Sequence, residues 1–422
     1  MFDLIYIIRT NEEDRCNVFG DGEASERIEI LGSENVGSLH RSKRIDIVCF
    51  SDVYWDSIWH RHQNILTRFP DNWNILFIEP TSLPTLLKRP KHIFLRREKN
   101  IIIASLPSLP LIDRIKELRW LNDYLILLWL HLLLKLTCIK RPVLLYYEPR
   151  FSSLIKKLNE LLVIYDCIDD KLAFSSVPKW MKIYLDNLID NAHLIFVTSS
   201  NLYRKIAEKR KDNVYMIGNG VDPALFKKAM MDIAIPKDVK EVKKPIVGYV
   251  GTIDDWLDFS LVRAFAKAYP GISFVFLGPV IPKVKKEIKI LRKFHNIFII
   301  GEKPHKMLPN YLKAFDVCII PFKINELTIS VNPVKFYEYL ASGKNVVSTA
   351  LPEIERYKEI LYMARDEREF IDNIGLALST APDTDKFSRV VDEHRWDRKA
   401  GEMAKLILKY LNKIHWTEVQ YS

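Results

Sequence analysis

The sequence predicts an α/β protein built from two tandem doubly wound domains, and three observations carry that expectation. From Arg44 onward, short β-branched runs alternate with longer helical patterns, as parallel strands joined by helical crossovers do. The strand candidates are almost continuously apolar, which suits strands buried on both faces. The chain has 422 residues, more than one hydrophobic core usually organises.

Residues 1–43 lack sustained periodicity and read as a poorly structured extension. Met1 to Ile8 form an apolar patch without a basic region before it, so no signal peptide is expected and the chain reads as cytoplasmic. The first domain spans 44–227, with strands at 46–50, 74–78, 143–147, 161–165, 194–198 and 214–217. A linker is placed at 228–244, where Pro236 sits amid charges. The second domain, 245–395, has strands at 246–250, 273–277, 297–300, 317–320 and 345–348. Gly251, Gly278 and Gly301 end three of them, at the carboxyl edge where open α/β sheets bind ligands. Residues 396–422 close the chain as a helix and tail, with Met403, Leu406, Ile407, Tyr410, Leu411 and Ile414 on one stripe.

Composition is globular, at 48% apolar and 27% charged residues. The net charge of +10 favours anionic partners: phosphorylated ligands, nucleic acid or an acidic membrane. Nucleic acid is not expected, because no zinc-finger spacing, RNP-like string or basic helix with stacking aromatics is present. The five cysteines are widely spaced within mostly apolar runs and read as buried thiols. Residues 124–136 are hydrophobic around the whole helix, yet too short, with His131 and Lys135 inside, for a membrane span. A buried helix is the first reading. The other is a helix in a membrane interface, with Arg114, Lys116, Arg119, Lys140 and Arg141 near the headgroups.

The densest signal lies between Ser330 and Thr349. Asn332 suits an N-cap, Pro333 the first helical position and Gly343 a left-handed stop, so a short helix is bounded at both ends. Its N-terminus offers unpaired N–H groups and a positive dipole end, and Lys335 and Glu338 share a face. A phosphate fits near Lys335, with Glu338 accepting from hydroxyls. The plainer reading is a solvated Lys–Glu pair on an ordinary crossover helix. Asp166, Asp169 and Asp170 follow a strand at its carboxyl end, where a carboxylate can take a hydroxyl proton, cap a turn or join a metal site. His60, Arg61, His62 and Gln63 read as a polar helix start.

The run Val331 to Thr349, with Asn332-Pro333, Lys335, Glu338-Tyr339-Leu340-Ala341 and Gly343-Lys344, resembles the donor-binding signature of group 1 GT-B glycosyltransferases. These are the family 4-like, retaining type that builds bacterial and archaeal surface polysaccharides. Further similar strings follow the family's order: Tyr165-Asp166-Cys167-Ile168-Asp169-Asp170, Asn219-Gly220-Val221-Asp222 with Phe226, Tyr249-Val250-Gly251-Thr252, Leu277-Gly278-Pro279, Gly301 with Pro304-His305, Asp316 through Pro321-Phe322, and Trp396-Asp397.

The resemblance covers about 44–414 and implies two Rossmann-like domains flanking a cleft. It further implies transfer of a sugar from a nucleotide-diphosphate donor to a glycan or lipid-linked acceptor, with no cofactor and no metal. On this resemblance the donor-binding residues are Gly251, Thr252, Gly278, Gly301, Lys303, Val331, Asn332, Pro333, Val334, Lys335 and Glu338. His60, Arg61 and Asp170 fall on the acceptor side, and Asp166 and Asp169 are the catalytic candidates. Peripheral contact with the inner face of an anionic membrane stays an open expectation. One departure is Ser330, eight positions before Glu338, where retaining relatives carry a second glutamate; Glu326 lies four residues upstream of it. An epimerase of the same fold and a non-catalytic nucleotide-sugar scaffold remain alternatives.

Overall fold

The computed structural model describes residues 44–420 except 58, 83–94, 110–114, 116 and 176. The expected extension at 1–43 lies outside the described residues, as do Arg114 and Lys116. The chain forms two compact units, Met1–Tyr54 with Pro70–Val163, and Trp55–Phe69 with Ile164–Ser422. The linker expected at 228–244 thus falls within the second unit, where a short helix, Lys237–Lys240, lies between the last strand of one sheet and the first of the next.

In the first unit, strands β1 (Ile45–Phe50), β2 (Trp73–Ser82), β3 (Arg96–Glu98), β4 (Ile101–Ser108) and β5 (Val143–Tyr146) lie in the order β3-β4-β2-β1-β5. All pairings are parallel except β3 with β4. Neither β3 nor β4 was expected. The charges of β3 gave no apolar run, and an edge strand needs none. Buried Glu79 secures this edge, accepting from Arg96 at 2.7 Å and Ser105 at 3.1 Å. The helix Glu117–Leu136 buries Ile126, Leu130, Leu133 and Leu134. Its other side is exposed, so the expectation of a buried helix holds for one half of its surface.

β6 (Leu162–Cys167) crosses the boundary between the units and leads into β7 (Leu194–Val197) and β8 (Val214–Met216), each parallel to the one before. The second sheet is wholly parallel: β9 (Ile246–Val250), β10 (Ser273–Leu277), β11 (Ile297–Gly301), β12 (Val317–Ile320), β13 (Asn345–Thr349) and β14 (Tyr362–Ala364), in the order β11-β10-β9-β12-β13-β14. Central β9 is buried throughout. The chain ends in the helix Trp396–Gln420, whose Trp396, Met403 and Ile407 are buried in the second unit.

Gly248 in β9 lies beneath the ring of Phe315, where an added Cβ would sit 2.0 Å from a ring carbon. Gly248→Ala is expected to cost about 2–3 kcal/mol in urea unfolding, because buried rings give way poorly. Gly271→Ala, with nothing within 4 Å of the new Cβ, should stay within about 0.5 kcal/mol of the parent. Equal effects at the two positions would contradict the packing described.

Candidate functional site

The site grows from the helix Val334–Ala341. It starts one residue later than expected, with Pro333 at the N-cap position. Asn332 does not cap it: its side-chain amide donates to Thr198 O at 3.1 Å, and its backbone O accepts from Asn219 Nδ2 at 2.8 Å. The asparagine therefore fixes where the helix begins. At the other end Gly343 has φ +67°, and the N–H groups of Gly343 and Lys344 donate to Leu340 O and Tyr339 O at 2.9 and 3.0 Å. That closes the helix as the left-handed glycine predicts. The N–H of Val331 is spent on Thr328 O, and Pro333 has none. Val334 and Lys335 keep the first-turn N–H groups that a helix cannot satisfy internally.

Lys335 extends from this turn between two aromatic rings, its Nζ 4.7 Å from the Phe322 centroid and 5.5 Å from that of Tyr249. Desolvation pulls its pKa from 10.5 to about 8, against the opposing pull of Glu338 and Asp169. Cation–π attraction offsets part of the lost hydration. Its Cε also limits Gly251, where a Cβ would come within 3.1 Å. Tyr339, one turn further on, bonds Val250 at the end of β9, accepting from its N–H at 2.8 Å and donating to its O at 3.3 Å. The helix is thereby pinned to the strand that delivers Gly251.

Gly251, Gly278 and Gly301 stand side by side at the ends of β9, β10 and β11, with φ of +143°, +151° and +88°. Gly251 N–H donates to Leu277 O and Gly278 N–H to Gly301 O, at 2.8 and 2.9 Å. A Cβ on Gly278 would lie 2.1 Å from Gly251 O. No other residue fits that contact. The edge is bare backbone, which a ligand can approach closely. Thr252 adds its carbonyl, which accepts from Tyr249 OH at 2.9 Å.

Glu338 is largely enclosed and lies 3.8 Å from His305 Nε2. His305 stacks on Trp59 with centroids 6.0 Å apart and meets Phe226 edge-on at 5.6 Å. A cation at a helix start, a glycine edge and a carboxylate beside flat rings can hold a diphosphate, a backbone-contacting linker and a hydroxylated ring respectively. Lys303 is occupied elsewhere, ion-paired to Asp238 at 2.7 Å with Tyr311 beside it.

The three aspartates occupy three different environments. Asp166 is fully buried and accepts from Arg61 Nε at 2.8 Å, while Arg61 also donates to Gly218 O at 3.0 Å. This pair is closed to solvent, so the catalytic reading of Asp166 and the acceptor-side reading of Arg61 give way to a structural one. Asp169 is partly exposed and acts on Lys335. Asp170 is held by Lys205 at 2.5 Å, and Lys205 also reaches Glu326 at 3.0 Å. Among the described residues no group of three or more His, Cys, Asp or Glu is arranged to hold a metal. His60 is exposed at the start of the helix Arg61–Leu66, with its N–H bonded to Gln63 Oε1 at 2.9 Å. The sequence alone assigns no role to Tyr249, Phe322, Tyr339, Trp59 and Lys205. Each is a common residue type in an ordinary apolar or basic run, and only tertiary contact gives it a part.

Two variants test these charges. Lys335 carries a penalty that is complete below pH 8 and is relieved between about 8 and 10.5, where the folded chain has shed a proton the unfolded chain still holds. Lys335→Met should therefore stabilise the ligand-free protein at pH 7 by on the order of 2 kcal/mol, with the gain shrinking towards pH 10 in paired unfolding curves. A gain independent of pH would refute the desolvated cation. Arg61→Met strands the Asp166 carboxylate and should cost about 3–5 kcal/mol; adding Asp166→Asn should recover much of it. A single-variant cost below about 1 kcal/mol would mean the pair is solvated.

Residues 244–380 match the model of the family described as glycosyl transferases group 1. TuaH of Bacillus subtilis (strain 168), named for a glycosyltransferase role in teichuronic acid biosynthesis, is 28% identical over 233 residues, 52% of this chain and 58% of that protein. The chain thus spans little more than half of that curated relative. Sucrose-phosphate synthase from Thermosynechococcus elongatus superposes with a TM-score of 0.68 at 15% identity, covering 88% of this chain and 100% of that one. Anabaena Alr3699/HepE in complex with UDP gives 0.60 at 12%, covering 86% and 100%. The family match spans the glycine edge and the helix of Lys335 and Glu338, and the likeness to these solved structures over most of the chain shows that it has the GT-B fold.

Proposed function

We propose that this chain transfers a glycosyl group from a nucleoside-diphosphate sugar to a glycan or lipid-linked acceptor in the assembly of a surface polysaccharide, at the inner face of the membrane. The observation that carries the reading is the desolvated Lys335 at a helix N-terminus, against the Gly251 edge and one turn from Glu338. In the proposed reaction the acceptor hydroxyl bonds to the anomeric carbon, the bond from that carbon to the diphosphate breaks, and the hydroxyl proton passes to a base. Charge grows on the departing phosphate, where protonated Lys335 and the helix dipole offset it. The base assignment falls to Asp169, which is partly exposed at the end of β6 and acts electrostatically on Lys335. Glu338 takes the ribose hydroxyls, and the rings of His305 and Trp59 flank the nucleoside. UDP is the first nucleotide to try, because the HepE neighbour carries it. Relatedness to TuaH supports the polysaccharide acceptor. No specific contact favours an epimerase or a scaffold.

A thermal-shift panel of UDP, GDP, ADP, CDP and dTDP tests the donor site. One diphosphate, with UDP expected, should raise the midpoint, and Lys335→Ala and Glu338→Ala should each weaken it at least tenfold, a loss of about 1.4 kcal/mol. Affinity should fall as pH rises through about 8, where Lys335 loses its proton. Absence of any shift at millimolar nucleotide would overturn the donor site.

A further inference from the structure

We infer that the outward face of the helix Glu117–Leu136 docks on an anionic lipid bilayer. Opposite its buried residues the helix exposes Trp120, Tyr124, Leu125, Leu128, Leu132 and Leu136, with Trp120 68% accessible, Tyr124 53% and Leu128 51%. At about 100° per residue these six fall within an arc of roughly 160°. That makes an apolar strip along the helix, with exposed His131 and Lys135 set within it. Protein surfaces in water rarely carry so large a contiguous apolar patch without an occupant.

Charge selects the occupant. Lys135 is exposed within the arc, and Lys140 and Arg141 are exposed just past the helix end. From Glu117 to Arg141 the acidic residues are two, Glu117 at the helix start and Asp123, against Arg119, Lys135, Lys140 and Arg141. Asp123 is not on the exposed strip, and burial raises its pKa. An apolar strip flanked by cations, with amphipathic Trp and Tyr side chains, matches the boundary between acyl chains and anionic headgroups. A second copy of the chain would offer the same cations and so gain nothing from them. Among the described residues no helix is long and apolar enough to cross a membrane, so the contact is one of lying on the bilayer. This deepens the proposed use of a lipid-linked acceptor, but the test reads binding alone, so either reading can fail without the other.

The full chain is sedimented with vesicles of phosphatidylcholine alone or with added phosphatidylglycerol. Binding at least ~10-fold tighter to the anionic vesicles, weakening with salt, is expected. The variant Trp120→Ser/Leu128→Ser/Leu132→Ser should lose ~10-fold or more of that binding and keep its thermal response to UDP. Lys140→Glu/Arg141→Glu should lose the anionic preference. Hydrogen exchange of the parent protein serves if a variant misfolds: slower exchange across 117–136 with anionic vesicles supports the docking face, and unchanged exchange overturns it. Equal partition to both vesicle types, or unaltered binding by the triple variant, also overturns it. So does a parent dimer that ignores vesicles and dissociates in the triple variant, which would assign the face to a second copy.

Discussion

A lysine ammonium partly stripped of water without a full counter-charge is the constraint around which the second sheet is organised. Lys335 makes no ion pair among the described residues, and its desolvation is opposed only by the more distant Glu338 and Asp169 and by two ring faces. Such a group is unstable in place unless its surroundings are fixed independently. They are: Tyr339 ties the helix to β9, Asn332 sets its first turn and Gly343 its last. Gly251 leaves room for the lysine stem, and Gly278 allows the neighbouring strand end to touch Gly251. An anion at this helix start, as in the proposed donor site, would recover the cost of the bare cation, so that affinity would be stored in the fold before the ligand binds.

Arg61 shows the opposite solution to the same problem. It is a fully buried cation, but Asp166 neutralises it, Gly218 O accepts from it, and Met403 Sδ lies 3.7 Å away. Little attraction for a further anion is left, so the pair acts as a joint. It links the helix Arg61–Leu66, the end of β6, the loop after β8 and the C-terminal helix. This accounts for Trp55–Phe69 belonging to the second compact unit although its sequence neighbours belong to the first. Asn219 carries the connection on to Asn332 and so to the start of the Lys335 helix. Breaking the joint would loosen the first turn of that helix at a distance.

Much of the fold was legible because buried parallel strands announce themselves as apolar runs. β1, β2, β5 to β8 and β9 to β13 lie where those runs predicted them. Charged β3 carries no such run, and neither β4 nor the three-residue β14 is among the predicted strands. Within the site, residues whose backbone role shows in their type were readable: Gly343 needs a positive φ, and Lys335 and Glu338 follow helical spacing. Asn332 shows the limit. Its composition said cap, but a tertiary partner, Thr198 O, took its amide. Asp166 and Asp169 are three residues apart and look alike in sequence. Only the arrival of Arg61, more than a hundred positions away, separates the buried partner from the accessible carboxylate.

The same limit explains residues 124–136. Hydrophobicity on all sides of a helix states that no side wants water, but not what replaces the water. In this chain one half is answered by the first unit's core, through Ile126, Leu130, Leu133 and Leu134, and the other half is left open. A periodicity argument cannot divide the two, since leucine serves a protein interior and an acyl layer equally well. What divides them is the polar residue pattern: Asn122 is buried and its Oδ1 accepts from Leu109 N–H at 2.8 Å, while Lys135 and His131 face outward. Those few positions orient the helix. The site and this face thus rest on one principle, that the meaning of a cation or an apolar residue is set by what the fold leaves unmatched beside it.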